Sequence, residues 1–67
     1  MTNKHHIQYR INSYKYVNKQ HAPKFYETKL ACDRKVRQLR DHGFHGTQAM
    51  TWFDDEGQIH EEIIRKF

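Results

Sequence analysis

The sequence has few of the residues that small domains use as staples and breakers. It has one cysteine, Cys32, in 67 residues. One cysteine closes no internal disulfide, and a small secreted domain normally needs several, so a disulfide scaffold is excluded. Pro23 is the only proline, and Gly43, Gly46 and Gly57 are the only glycines. Each therefore marks a specific break in the chain. No long apolar run is present, and the first twenty residues carry Lys4, His5, His6, Arg10, Lys15 and Lys19. Nothing there reads as a signal peptide or a membrane span, so the expected compartment is the cytoplasm. The sequence also has no glycine-rich phosphate loop, no nucleophile elbow and no paired-carboxylate motif. The expectation is a protein that is not an enzyme and needs no cofactor.

What is present is aromatic and basic. Nine of the apolar residues are aromatic: Tyr9, Tyr14, Tyr16, Phe25, Tyr26, Phe44, Trp52, Phe53 and Phe67. A few large rings can build the core of a short chain, because each buries a large area. Sixty-seven residues make one domain, 1–67, with a thin stability margin, and a homodimer is the other common source of burial. The net charge of +4 is unevenly spread. Residues 1–42 hold ten Lys or Arg and three Asp or Glu, whereas residues 43–67 hold two and five. A basic front and an acidic tail favour an anionic partner at one end.

Residues 1–6 are polar and read as a frayed, disordered end. From Ile7, apolar Ile7, Tyr9 and Ile11 alternate with Gln8 and Arg10, the pattern of a half-buried strand. Tyr14 and Tyr16 follow in the opposite phase, so Asn12-Ser13 marks a bulge or a tight turn, with one long bent strand preferred. Asn18 to Pro23 reads as a hairpin loop, and Lys24 to Glu27 as a short return strand. Thr28 is the expected N-cap of a helix whose Cys32, Val36 and Leu39 share one face. His42-Gly43-Phe44 ends it, with Gly43 left-handed and Phe44 folding back. Thr47 to Phe53 is rich in β-formers, and Asp54-Asp55-Glu56-Gly57 is a turn. Gln58 to Phe67 is ambiguous between strand and helix, because Ile59, Ile63 and Phe67 are four apart. The turn before it favours a strand. The expected fold is α+β in the order ββαββ, a four-stranded antiparallel sheet of two hairpins with one helix on one face.

Packing Cys32, Val36 and Leu39 on the sheet points Leu30, Asp33, Arg34, Arg37 and Arg40 outward. Arg34, Arg37 and Arg40 then form a ridge suited to an anionic surface, with Leu30 beside it as an apolar anchor. Asp33 and Asp41 interrupt the ridge and are expected to pair with Lys29 and Arg37 at i, i+4 spacing. Trp52 and Phe53, beside the acidic turn residues Asp54 and Asp55, form a second candidate contact. The candidate surface for a protein partner is the helix face of Leu30, Arg34, Arg37 and Arg40 or the hairpin with Trp52, Phe53, Asp54 and Asp55. The alternative partner is DNA or RNA, held by Arg10, Tyr14, Lys15, Tyr16 and Lys24, where rings alternate with cations. His42-x-x-His45 with Cys32 or His60 offers zinc-ligand chemistry, but the spacing is poor and no metal is expected. His42 or His45 acting with Glu61 or Glu62 has, in principle, the acid–base chemistry for RNA cleavage. Small toxin ribonucleases place a glycine-serine-histidine stretch there; this chain reads His45-Gly46-Thr47-Gln48 after Phe44.

Three stretches, Tyr14-Lys15-Tyr16-Val17, Leu39-Arg40-Asp41-His42-Gly43-Phe44 and Trp52-Phe53-Asp54-Asp55-Glu56-Gly57, carry a resemblance of layout. The chain resembles the very small accessory proteins of bacteriophages and mobile elements, which often have a hairpin, a helix with a Gly-aromatic end and a second hairpin. The resemblance implies a viral modulator or inhibitor that binds host nucleic-acid machinery in the cytoplasm of an infected cell. It transfers no functional residue.

Overall fold

The computed structural model describes residues 3–67. Its elements run β1 (His5–Tyr16), β2 (Lys19–Gln20), β3 (Lys24–Tyr26), α1 (Lys29–Asp41), β4 (His45–Phe53) and β5 (Ile59–Lys66). The class is α+β, one helix and an antiparallel sheet. Of the stretch 1–6, Met1 and Thr2 lie outside the described residues, and His5 and His6 open β1.

The long strand β1 is central. It pairs with β4 on one side, and on the other with β2 near its end and β3 near its middle. The return strand is thus cut in two by His21–Pro23, consistent with a proline that cannot donate to the ladder. β5 pairs with β4 and forms the far edge. No bulge falls at Asn12-Ser13, despite the phase change in the sequence there: the β1–β4 register is continuous from Gln8 to Tyr14. The register shifts lie between His5 and Gln8, where His6 has φ 52°, and between Tyr14 and Tyr16 against β2. Tyr14 therefore leaves the Ile11 face by plain alternation.

Two faces follow from the register. Ile11 pairs with Gln48 and Tyr9 with Met50 on the side that carries α1. Arg10 pairs with both Ala49 and Phe25, and Tyr14 with His45, on the open side. Ile11, Cys32 and Val36 form the buried core, with Tyr9, Tyr26, Leu39 and Phe67 packed around it. It is a small core, each full-sized aliphatic side chain in it worth about 1.5–3 kcal/mol. α1 packs on β1, β3 and β4 and leaves β5 uncovered.

The helix ends are built as the residues dictate. Thr28 Oγ1 accepts from the Ala31 N–H at 3.2 Å. At the other end Phe44 N–H donates to Leu39 O at 2.9 Å and Gly43 N–H to Arg40 O at 3.0 Å, with Gly43 at φ 84°. That pair of bonds satisfies carbonyls the helix leaves open, and it needs the left-handed residue glycine supplies. β5 is a strand, and a register shift opposite Gln48/Ala49 explains its ambiguous pattern. The shift puts Ile63 on the open side and Phe67 against the core.

Candidate functional site

Because α1 stops short of β5, a groove of about 380 Å³ runs between them. It is lined by Leu30, Arg34, Arg37 and Arg40 from α1 and by Arg65 from β5, with Asp33 and Val36 in its floor. Spacing of three residues along a helix stacks Arg34, Arg37 and Arg40 on one side. Among the described residues, none of those three makes an ion pair, so the Arg37–Asp41 pair expected from helix spacing is not formed. Leu30 is 61% exposed in the same groove. The sequence reading missed Arg65, which lies 35 residues from Leu30 and joins the ridge only through sheet pairing. Its one legible trace was its place in a strand opposite the helix.

The groove is anchored by Asp33. Buried Gln48 donates from Nε2 to Asp33 Oδ1 at 2.7 Å, Lys29 Nζ reaches Oδ2 at 3.0 Å, and Arg65 Nη2 lies 3.4 Å from Oδ1. The Lys29 pair is the one the helix spacing gives; the other two are long-range. These bonds, Gln48 foremost, hold the Asp33 carboxyl below its ordinary value despite partial burial. Burial pushes the neighbouring Cys32 thiol up. Cys32 is a free thiol fully buried in the core.

The second candidate surface divides between the faces. Trp52 pairs with His60 on the helix side, stacked on its ring at 5.6 Å, with Lys4 Nζ over it at 4.6 Å. Phe53 lies on the open side beside Ile59 and near His6. Strand neighbours point to opposite faces, so the two rings do not form one patch. Asp54 is turned inward, its side chain 12% exposed. It accepts from the Glu56 and Gln58 N–H groups and pairs with His60 at 2.7 Å. Asp55 pairs with His5 at 2.6 Å. Both acids stabilise the turn and its junction with β1.

The alternative nucleic-acid set also splits. Arg10 and Tyr14 belong to the open side, Tyr16 lies beyond the register shift against β2 that interrupts the alternation from Tyr14, and Lys24 lines a separate recess of about 250 Å³ with Lys35, His21 and His42. Lys15 approaches the Phe44 ring at 5.8 Å. The Arg10 guanidinium is engaged by Glu61, and its Nε has no partner. Among the described residues, no three His, Cys, Asp or Glu side chains group as metal ligands, and no helix is long and apolar enough to cross a membrane.

The carboxylates set an acid limit on the fold. Hydrogen bonds from Gln48 to Asp33, His60 to Asp54, His5 to Asp55 and Arg10 to Glu61 each hold a carboxyl below its ordinary value, 3.8 for Asp and 4.5 for Glu. As pH falls below those ordinary values, the unfolded chain binds protons that the folded chain still refuses. Stability from these groups is thus fully present above about pH 4.5 and is lost as pH drops through the depressed values. Thermal melts recorded at successively lower pH are expected to be flat down to that point and to fall below it. A midpoint that rises on acidification contradicts the pairing.

Family models, curated proteins and solved structures were each compared with the chain, and none of them matches it.

Proposed function

We propose that this chain is a non-enzymatic protein-binding module whose groove between α1 and β5 docks an acidic segment of a partner protein. The groove carries the reading: three arginines without an ion-pair partner among the described residues, a fourth brought in by β5, and an exposed leucine among them. Arginine is the cation favoured at interfaces, because its planar fork pairs with carboxylates in two-point contacts and desolvates more readily than an ammonium. Leu30 supplies an apolar contact that phosphate recognition would not need. The small phage-type accessory proteins that this layout resembles include inhibitors of host enzymes, and the setting we propose for this chain is modulation of host nucleic-acid machinery.

A second reading, direct binding of single-stranded nucleic acid, rests on the aromatic rings Tyr14 and Phe25 on the open side. Tyr16 is 62% and Phe25 52% exposed, as stacking platforms for bases require. Engagement of Arg10 by Glu61 weighs against it, since a phosphate contact there must first break an ion pair.

One titration separates the two. A fluorescent acidic peptide with a central leucine, and short DNA and RNA oligonucleotides, are titrated by anisotropy at low and near-physiological salt. The peptide is expected to bind at both, and the Arg34→Glu, Arg37→Glu double variant to bind about tenfold more weakly with an unchanged melt. Two exposed ion pairs made repulsive are worth together about 1–2 kcal/mol, which is that factor. Oligonucleotide binding that persists at near-physiological salt and survives the double variant favours the second reading.

A further inference from the structure

The edge strand β5 is open along its length, and its charges are arranged to meet their own copy. We propose that two copies of this chain pair β5 with β5, antiparallel about a two-fold axis, to make one continuous sheet. This goes beyond the groove reading and uses the outer edge of the sheet; Arg65, paired with Asp33 in the groove, is the residue the two proposals share.

An antiparallel edge that meets its own copy does so about an axis normal to the sheet, and that axis passes through a single strand position facing itself. The stretch Glu61-Glu62-Ile63-Ile64-Arg65-Lys66 has two acidic residues, two isoleucines and two basic residues, and no middle residue. The register shift supplies one. Gln48 pairs with Arg65 and Ala49 with Ile63, so Ile63 and Ile64 together occupy the one position opposite Ala49. Counted in positions, Glu62 and Arg65 stand one step from that centre, and Glu61 and Lys66 two steps.

The two-fold then sets Glu62 against the partner's Arg65 and Glu61 against the partner's Lys66. The faces agree with this pairing. Glu62 and Arg65 sit opposite Met50 and Gln48 on the helix side, while Glu61 and Lys66 sit opposite Thr51 and Thr47 on the open side. Without the shift, each of these pairs would fall on opposite faces. The backbone agrees as well. Phe67 exchanges both its hydrogen bonds with Gly46, at 2.9 and 2.8 Å, so the N–H and C=O of its neighbour Lys66 point away from β4. Lys66 and, among the acids, Glu62 make no ion pair within the described chain. Ile63, 47% exposed, lies at the centre with Ile64.

Charges and bulges on an edge also serve to repel other strands. A repelling edge has one sign, or presents like to like under its own symmetry. Here the acidic half faces the basic half, which favours the second copy over any other strand.

The test is the mass in solution by sedimentation across a range of concentrations. The expected result is a reversible shift from the 8.2 kDa chain to twice that mass. Glu62→Arg sets arginine against the partner's Arg65 and is expected to stay at the single-chain mass. Arg65→Glu sets like acids together and is expected to do the same. Mixing the two variants matches Arg with Glu at both contacts, and the double mass is expected to return. Thermal melts establish that each variant is folded, and Glu62→Arg breaks no ion pair among the described residues. A wild-type chain that remains at 8.2 kDa up to millimolar concentration overturns the proposal, as does a dimer that Glu62→Arg leaves intact. The groove titration uses Arg34 and Arg37, so failure of one proposal is distinguishable from failure of the other.

Discussion

Gly46→Ala is expected to remove most of the stability of this protein. Gly46 lies in β4 opposite Ser13 of β1, and the two strands approach there more closely than a side chain allows. A Cβ at Gly46 would overlap the Asn12 carbonyl oxygen and come within 2.9 Å of the Ser13 Cα. Both are backbone atoms of the central strand, which cannot swing aside as a side-chain tip does. Overpacking of this kind costs about 3 kcal/mol or more when nothing can yield. A chain of this size has about 3–10 kcal/mol in all. Gly57→Ala is the control. Gly57 has φ 81° and nothing within 4 Å of an added Cβ, so alanine there meets only left-handed backbone strain, about 1–2 kcal/mol. Urea denaturation of the two variants is expected to show a loss at Gly46 at least twice that at Gly57. Equal losses contradict the close approach of β1 and β4.

Asp33→Ala is expected to cost about 2–3 kcal/mol, more than its half-exposed position on α1 suggests. Gln48 is fully buried on β4, and its Nε2 donates to Asp33 across the gap between sheet and helix. Its Oε1 already has no partner, so removing the carboxylate strands the whole amide away from water. A buried amide without partners loses its desolvation energy in full, whereas an apolar residue in the same space loses nothing. Asp33→Asn keeps an acceptor for Gln48 and is expected to cost about half as much. Gln48→Met in the Asp33→Ala background is expected to restore part of the loss. That double-mutant cycle isolates the Gln48–Asp33 bond from the weaker, solvent-screened pairs with Lys29 and Arg65. Additive losses in the cycle contradict the coupling. The cost of Asp33→Ala is also expected to shrink in acid, because the wild-type carboxyl then carries a proton as well.

Much of the local structure was legible in single residues. Thr28 caps α1, Gly43 and Phe44 close it, and Cys32 and Val36 face the sheet, each as spacing and side-chain chemistry dictate. Asp54 to Gly57 turns the chain between β4 and β5, with the Asp54 carboxylate bonding the backbone of its own turn. The short return strand Lys24–Tyr26 lies where Pro23 and the two rings put it. The candidate site was legible in part. Leu30, Arg34, Arg37 and Arg40 share a groove because three- and four-residue steps on a helix share a side. Trp52 and Phe53 were read as one patch, although strand alternation sends adjacent residues to opposite faces. The two acids of the turn bond inside the chain, to His60 and His5, and that satisfaction has no signature in composition.

The sequence by itself determined the helix and its caps, the turn and its glycine, and which helical residues face inward. All of these rest on contacts between residues a few positions apart, where periodicity and side-chain chemistry decide. The tertiary structure alone decided the central place of β1, the break between β2 and β3, and the shift in β5 that moves Phe67 to the core side. It alone brought Gln48 and Arg65 to Asp33, across 15 and 32 residues. Such pairings depend on strand order and register, which the packing of the whole chain selects and no local pattern encodes.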